Sequence, residues 1–168
     1  MYGQMISLLF VSLGLGCSLF ACSLGDTGSI LAGAWQSDRE RTLGELFDNA
    51  QLSEEQWRVL RDPKLFGNVL HVYHRGKTVS VYEGRCGPVG ELDVTDSGPA
   101  RVSIRYYDAF AKGLAIKTLS VEHDALYVPI SIFGNQIREV FSRVPIEDVR
   151  ERHPCTEVLF GADGSATV

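Results

Sequence analysis

From residue 64 onward, apolar and polar residues alternate along the chain with a period of two, which is the pattern of half-buried β-strands. In the first such run, NVLHVYH, Leu70 and Val72 fall on one face, while Val69, His71 and Tyr73 fall on the other. One further strand is predicted earlier, at ILAGAW (30–35). The seven runs that follow it occupy 68–74, 78–84, 90–96, 100–108, 113–122, 125–131 and 136–144.

The connections between these runs are short and contain turn residues, as in DSGP, EHDA and FGNQ. Short connections require antiparallel neighbours, because a parallel crossover needs a dozen or more residues. The pattern therefore predicts a mainly β fold over residues 30–144, an eight-stranded antiparallel up-and-down barrel. The interior of such a barrel is either filled with side chains or holds one small ligand.

Between the first two strands the apolar period becomes helical, which predicts a two-helix insertion over residues 38–62. Ser37 and Glu40 have the spacing of a capping box for the first helix, and Ser53 and Gln56 have it for the second. We expect the apolar stripe of the insertion to bury against the barrel; its members are Leu43, Leu46, Phe47, Trp57 and Leu60.

Residues 1–25 carry no charged side chain, and their apolar core of roughly 16 residues is short of the ~20 that a membrane span needs. An apolar stretch of this kind followed by small residues is typical of a secretory signal. The segment SLFAC resembles the lipobox of bacterial lipoproteins, which implies cleavage before Cys22 and acylation of its thiol. A second such site, at Cys17, and an uncleaved anchor or ordinary signal stay open as alternatives.

This resemblance implies a signal peptide (1–21) and a lipidated tether (22–29), and the strand pattern adds the barrel (30–144) and a C-terminal tail (145–168). It also implies a lipid-anchored protein of the cell envelope. Ser23 follows the cysteine where an Asp would signal inner-membrane retention, so the resemblance implies the outer membrane, with the domain facing the periplasm.

The charge of the chain is acidic, with a formal net charge of −5 over 168 residues. Lys and Arg are scattered and never clustered, which argues against a nucleic-acid partner and against electrostatic adhesion to anionic lipid. Contact with a membrane is therefore expected through the lipid anchor alone.

If Cys17 leaves with the signal and Cys22 is acylated, Cys86 and Cys155 remain as one pair of the four cysteines. In an oxidising compartment a disulfide between them is the default expectation. The alternative is two reduced and separated thiols, with Cys86 buried as a small apolar residue.

Gly33 and Trp35, at the start of the first strand, resemble the G-x-W signature of lipocalins. In that family the tryptophan plugs the closed end of the barrel and an arginine of the last strand lies across it; Arg143 in FSRV is the matching residue. The resemblance implies that Gly33, Trp35 and Arg143 close the barrel, and that its interior binds a small apolar ligand such as a lipid.

The sequence contains no H-E-x-x-H, no G-x-S-x-G and no phosphate-binding glycine loop. His71 and His74 lie on opposite faces of one strand and cannot chelate one ion there, and we expect the histidines to be solvated. Tyr106 with Asp108 fits either a polar pair at the barrel mouth or simple cross-strand packing. The sequence thus predicts no catalytic residue, no metal and no cofactor.

Two nonenzymatic functions remain. In the first, the barrel binds a small apolar ligand or lipid. In the second, the barrel is closed and solid and acts as a protein interaction module, docking onto another envelope protein through a surface that includes the helical insertion.

Overall fold

The computed structural model describes residues 30–108 and 113–161. The predicted signal peptide and tether, with Cys17 and Cys22, lie outside these ranges. Within them the chain forms ten β-strands, three α-helices and one 3₁₀ helix. In chain order these are β1 Gly33–Ser37, α1 Arg39–Asn49, α2 Glu54–Leu60, β2 Val69–His74, β3 Lys77–Tyr82, β4 Arg85–Cys86, β5 Gly90–Glu91, β6 Asp93–Ser97, β7 Arg101–Asp108, β8 Gly113–Glu122, β9 Ala125–Ile132, β10 Asn135–Val144, α3 Ile146–Arg152 and the 3₁₀ helix Pro154–Leu159.

Nine strands follow one another across the sheet in the order β4-β3-β2-β1-β10-β9-β8-β7-β6, and β5 pairs separately with β3. The pairings in this sheet that the structure describes are antiparallel, and most join strands that are consecutive in the chain. The predicted mainly β, antiparallel, up-and-down architecture is therefore confirmed.

The prediction of a closed eight-stranded barrel is wrong, because the sheet curls into a half-barrel. The predicted strand 90–96 is divided at Leu92 into β5, which pairs with β3, and β6, which pairs with β7. The outer edge of β3 is occupied at one end by β5 and at the other by β4. Both ends of this edge are thus occupied, and β6 pairs with β7 instead.

The alternation along β2 separates two cores, as the sequence predicts. Tyr73 belongs to the cluster on the concave side of the sheet, where Val69 packs beside it. Leu70 and Val72 belong to the cluster on the convex side. The buried concave cluster comprises Leu31, Trp35, Tyr73, Val102, Leu119, Leu126, Val128 and Phe141.

Helix α1 begins one residue later than the capping-box pattern suggests. Asp38 is the N-cap, and its carboxylate accepts a hydrogen bond from the Arg41 backbone N–H at 3.0 Å. The hydroxyl of Ser37 is engaged elsewhere, since it donates to Glu139 at 2.6 Å. Helix α2 has the predicted cap, in which Ser53 and Gln56 bond reciprocally as a capping box.

Helix α1 lies beside the part of β10 that extends past the end of β1. The Thr42 hydroxyl accepts from the Val140 N–H at 2.9 Å and lies 3.4 Å from the Val140 carbonyl oxygen. Leu46 of α1 and Leu60 of α2 are buried in a third cluster with Ile137, as the stripe predicts. The expectation that Phe47 is buried is wrong: its side chain is 75% exposed, and its ring centre lies 6.1 Å from that of Trp57.

The C-terminal helices cover the convex face of β2 and β3. Val149 of α3 and Leu159 of the 3₁₀ helix are buried in the convex cluster, so the tail has more apolar attachment than its polar sequence suggests. In the described residues, each helix is too short or too polar to cross a bilayer.

Candidate ligand-binding site

An open cavity of about 220 Å³ lies on the concave side of the half-barrel, between β2 and β3 on one side and β7, β8 and β9 on the other. The curl of the sheet brings these strands face to face although they are distant along the path. The lining residues are His71, Tyr73, Thr78, Ser80, Glu91, Leu92, Ile104, Arg105, Tyr106, Lys117, Leu119 and Val128.

The deep wall of the cavity is apolar. Leu119 and Val128 are buried members of the concave core, and Leu92 and Ile104 pack against it. Beyond them, towards β10 and β1, Phe141 and Trp35 fill the interior. Large side chains thus occupy one part of the half-barrel interior and leave the rest open. An open space with an apolar wall and some polar groups is typical of small-molecule sites.

The environment of His71 strongly perturbs its titration. Its Nδ1 lies 2.8 Å from the Ser80 hydroxyl, its partner across the β2–β3 ladder, and its ring centre lies 5.0 Å from that of Phe141. Burial, reinforced by the charge of Lys117, lowers the His71 pKa to about 4. The imidazole is therefore neutral at pH 7.

Lys117 places a positive charge on the wall of the cavity. Its ammonium nitrogen lies 5.2 Å from the centre of the Tyr106 ring, on the neighbouring strand. The same charge acts on Glu139, whose pKa is nevertheless raised, because burial outweighs both the Ser37 hydrogen bond and the attraction of Lys117. The two other charged lining residues, Glu91 and Arg105, are exposed at the rim, where Arg105 pairs with Asp93 at 3.4 Å.

Gly33, Trp35 and Arg143, predicted from sequence as a group, lie together at one end of the interior. Trp35 is fully buried, and its indole N–H donates to the Leu31 carbonyl at 2.7 Å. The Arg143 guanidinium lies over the indole and donates to the Ala32 carbonyl at 3.1 Å. Gly33 has a φ of +125°, and a Cβ there would lie 3.0 Å from the Arg143 Nη1, so a side chain would be strained and crowded.

Cys86 and Cys155 form a disulfide in the structure, with their Cα atoms 6.2 Å apart. The bond joins β4, at the edge of the sheet, to the 3₁₀ helix of the tail. It therefore holds in place both the strand that occupies the edge of β3 and the helices that cover the convex core.

Sequence reasoning did not single out His71 and Lys117 as site residues, although both line the cavity. The expectation that the histidines are solvated is wrong for His71, although the alternation of NVLHVYH had already placed it on the face of Tyr73. His74 points the other way, as predicted, and its ring lies 4.8 Å from Phe160 on the convex side. Tyr106 lines the cavity, whereas the side chain of Asp108 is not among those that the structure describes.

The described residues contain no cluster of three or more His, Cys, Asp or Glu side chains that would hold a metal ion. No known family, no curated protein and no solved structure matches the chain.

Proposed function

We propose that this chain is a lipid-anchored protein of the cell envelope that binds a small, largely apolar ligand in the cavity of its half-barrel, without catalysing a reaction. The observation that carries the proposal is the cavity of about 220 Å³ with its apolar deep wall. Apolar walls supply affinity by removing ligand surface from water, and a few polar groups fix its orientation.

The packing of Arg143 on Trp35 supports the resemblance to lipocalins, on which the expectation of an interior ligand rests. Their separation of 4.3 Å, measured from the guanidinium carbon to the ring centre, is that of a close cation–π contact. Gly33 supports it as well, since its positive φ and the nearby guanidinium explain why glycine precedes the tryptophan by two residues.

The disulfide between Cys86 and Cys155 supports a location outside the cytoplasm, because such bonds persist in oxidising compartments such as the bacterial periplasm. Anchoring at Cys22 and an outer-membrane position facing the periplasm belong to the same proposal, on the lipobox resemblance. Replacing Cys22 with Ala should release the protein from membranes and abolish fatty-acid labelling; retention of both would contradict the anchor.

Native mass spectrometry of the purified domain tests ligand binding directly. We expect a copurified small molecule, or binding of an added one, that is lost when the cavity is filled by Val128→Phe. Val128 lies in the cavity wall and is 8% exposed, so the larger ring projects into the open space. The matched control is Ile116→Phe, which adds a ring at a position that is 63% exposed on β8. If the two variants bind the ligand equally well, the binding site lies outside this cavity.

A second candidate function, docking onto another envelope protein, is favoured by one observation. Phe47 is 75% exposed although its ring centre lies only 6.1 Å from that of Trp57. Exposed apolar groups that cluster often mark partner sites. Amides of α1 and α2 that gain protection from hydrogen exchange on addition of an envelope extract, and lose the gain in Phe47→Ser, would support docking. No change in exchange would count against it.

A further inference from the structure

The sheet divides between β8 and β9. Among the described residues, these two strands pair only next to the turn that joins them, as Ser120–Tyr127, Val121–Leu126 and Glu122–Ala125. Farther from the turn, β8 continues over 113–119 with β7 as its paired neighbour, and β9 continues over 128–132 with β10 as its paired neighbour. The edge of β8 that faces β9 therefore has no strand paired with it over 113–119.

Pro129 explains where the pairing stops. The Arg143 N–H donates to the Asp124 carbonyl, so every second residue from Asp124 onward directs its backbone groups to β10. Pro129 belongs to the other set, whose backbone groups point to β8, and it is the next member of that set after Tyr127. Because proline has no N–H to donate, the ladder with β8 is broken at this position.

The unpaired edge of β8 presents both backbone groups and apolar side chains. The Val121 N–H donates to the Ala100 carbonyl, so the residues of β8 with odd numbers bond towards β7. Leu114 and Ile116 have even numbers and direct their N–H and C=O groups to the unpaired edge. Their side chains are 74% and 63% exposed. An exposed apolar strand edge of this kind can pair with another chain.

The unpaired edge borders the cavity. Leu119 and Val128 are the first residues of the two strands beyond the last pair, and both line the cavity. Lys117 lies on the same inward face of β8 and lines it as well. A strand added to this edge directs every second side chain to the inward face. Its inward side chains therefore reach the cavity, and its outward ones cover Leu114 and Ile116.

We propose that the ligand of the cavity is an apolar side chain of an extended peptide segment, which pairs antiparallel with β8 over 114–118. The proposal rests on the proposed function, since it names the class of ligand that enters the same cavity. In recognition of this kind, backbone hydrogen bonds supply affinity and a pocket selects the side chain. The cavity of about 220 Å³ has room for a phenyl ring, which an apolar cavity of ~150 Å³ holds.

The antiparallel direction is the one that β8 adopts with both of its neighbours. It is also slightly more stable per residue than parallel pairing. In this direction, peptide residues opposite Leu114 and Ile116 exchange hydrogen bonds with them and point outward. The peptide residue opposite Lys117 points inward, to the cavity.

Calorimetric titration of the disulfide-bonded protein with a capped pentapeptide tests the pairing. The peptide consists of valine, phenylalanine, valine, threonine and valine, in that order. Antiparallel pairing over 114–118 sets its phenylalanine opposite Lys117 and its last two valines opposite Ile116 and Leu114. Methylating the backbone nitrogens of these two valines removes the donors that face β8 and should weaken binding at least about tenfold. The matched control is methylated at the phenylalanine and threonine nitrogens, which face away from β8, and should bind like the parent peptide.

Two variants at one position test the edge itself. Ile116→Pro removes an N–H that faces the peptide and none that bonds to β7, so peptide binding should be lost. Ile116→Val keeps this donor and a branched apolar side chain, so it should bind the peptide as the native protein does. Benzyl alcohol needs only the cavity and should bind both variants, which shows that each is folded.

The outcomes separate the inference from the function on which it rests. If the valine-methylated peptide binds as well as its control, or if Ile116→Pro still binds the peptide, the inference is overturned. If benzyl alcohol binds and the peptide does not, the inference is again overturned, and binding of a small ligand by the cavity stands. If neither binds and native mass spectrometry shows no copurified molecule, both are overturned.

Discussion

Trp35 and Arg143 are directly opposite each other in the pairing of β1 with β10, and the guanidinium carbon lies 4.3 Å from the centre of the indole ring. The indole is fully buried, whereas the guanidinium faces solvent. Trp35 thus fills part of the core, and Arg143 covers the indole ring at the end of the half-barrel interior.

We predict that Trp35→Ala lowers the free energy of unfolding by ~3–5 kcal/mol, the usual loss for truncating a large buried aromatic side chain. Arg143→Ala should cost only ~1 kcal/mol or less, because a cation–π contact at an exposed site is weak. Urea denaturation measures both, with Arg101→Ala as the exposed arginine control. If Trp35→Ala costs no more than that control, the indole is not part of the core.

The disulfide should contribute about 4 kcal/mol to stability in the chain-entropy model, because it closes a loop of 69 residues. Reduction should therefore lower the urea midpoint of the native protein but leave that of the double variant Cys86→Ala, Cys155→Ala unchanged. The tail helices should stay docked after reduction, since Val149 and Leu159 remain buried in the convex core. A native midpoint insensitive to reductant would show that the bond does not form.

His71 should make the protein less stable in acid. Its folded-state pKa of about 4 lies below the ordinary value of 6.5, so the unfolded chain takes up the proton more readily than the folded one. The free energy of unfolding is therefore highest above pH 6.5 and decreases as the pH falls towards 4. The loss from this group is about 3 kcal/mol. Urea midpoints between pH 8 and pH 4 should show this loss in the native protein and not in His71→Asn, whose amide keeps a polar group near Ser80.

The control for this pH dependence is His123→Asn, because His123 is exposed in a turn with a φ of +56°, which asparagine tolerates. That variant should lose stability in acid as the native protein does. An identical pH profile in His71→Asn and the native protein would show that His71 is solvated.

The Ser37 hydroxyl should contribute more to stability than the hydroxyl of an ordinary helix cap, because it accepts from the Gly67 N–H at 2.9 Å and donates to Glu139. Ser37→Ala leaves both groups without that partner and should cost ~1–3 kcal/mol. The raised pKa of Glu139 makes folding less favourable as the pH rises through it, and losing this hydrogen bond raises the pKa further. The loss should therefore be larger at pH 7 than at pH 4.5.

The exposed cap Ser53 provides the comparison, since Ser53→Ala should cost ~1 kcal/mol at both pH values. Urea denaturation of the two variants at the two pH values distinguishes the roles. A pH-independent loss in Ser37→Ala would mean that its bond to Glu139 contributes nothing.

Local sequence patterns predicted the strands and the faces of β2 because alternation directly reflects which side is buried. Closure could not be predicted, since it depends on how the edge of β3 is divided between β4 and β5. Leu92 has no sequence signal that marks it as the point where one strand becomes two. The cap at Asp38 was missed because Ser37 fits the same local pattern and is diverted by a partner 102 residues away.

The cavity was only partly predictable, because it too depends on contacts between residues that are distant in the chain. Trp35 and Arg143 are joined by a family resemblance, so their proximity was expected. His71 and Lys117 lie on strands that meet only because the sheet curls, and neither belongs to a short motif. Their shared cavity is a property of the curvature, which alternation of residues does not encode.

Amide NMR spectra of the isotope-labelled protein, recorded during titration with benzyl alcohol, test most directly whether the half-barrel cavity binds a small, largely apolar ligand. The account predicts saturable shifts of the amides of Leu92, Ile104 and Leu119, which surround the cavity, and their loss in Val128→Phe but not in Ile116→Phe. Arg150, on the convex side in the tail, should not shift. Shifts absent from the cavity, or centred on the tail or on the exposed faces of α1 and α2, would contradict it.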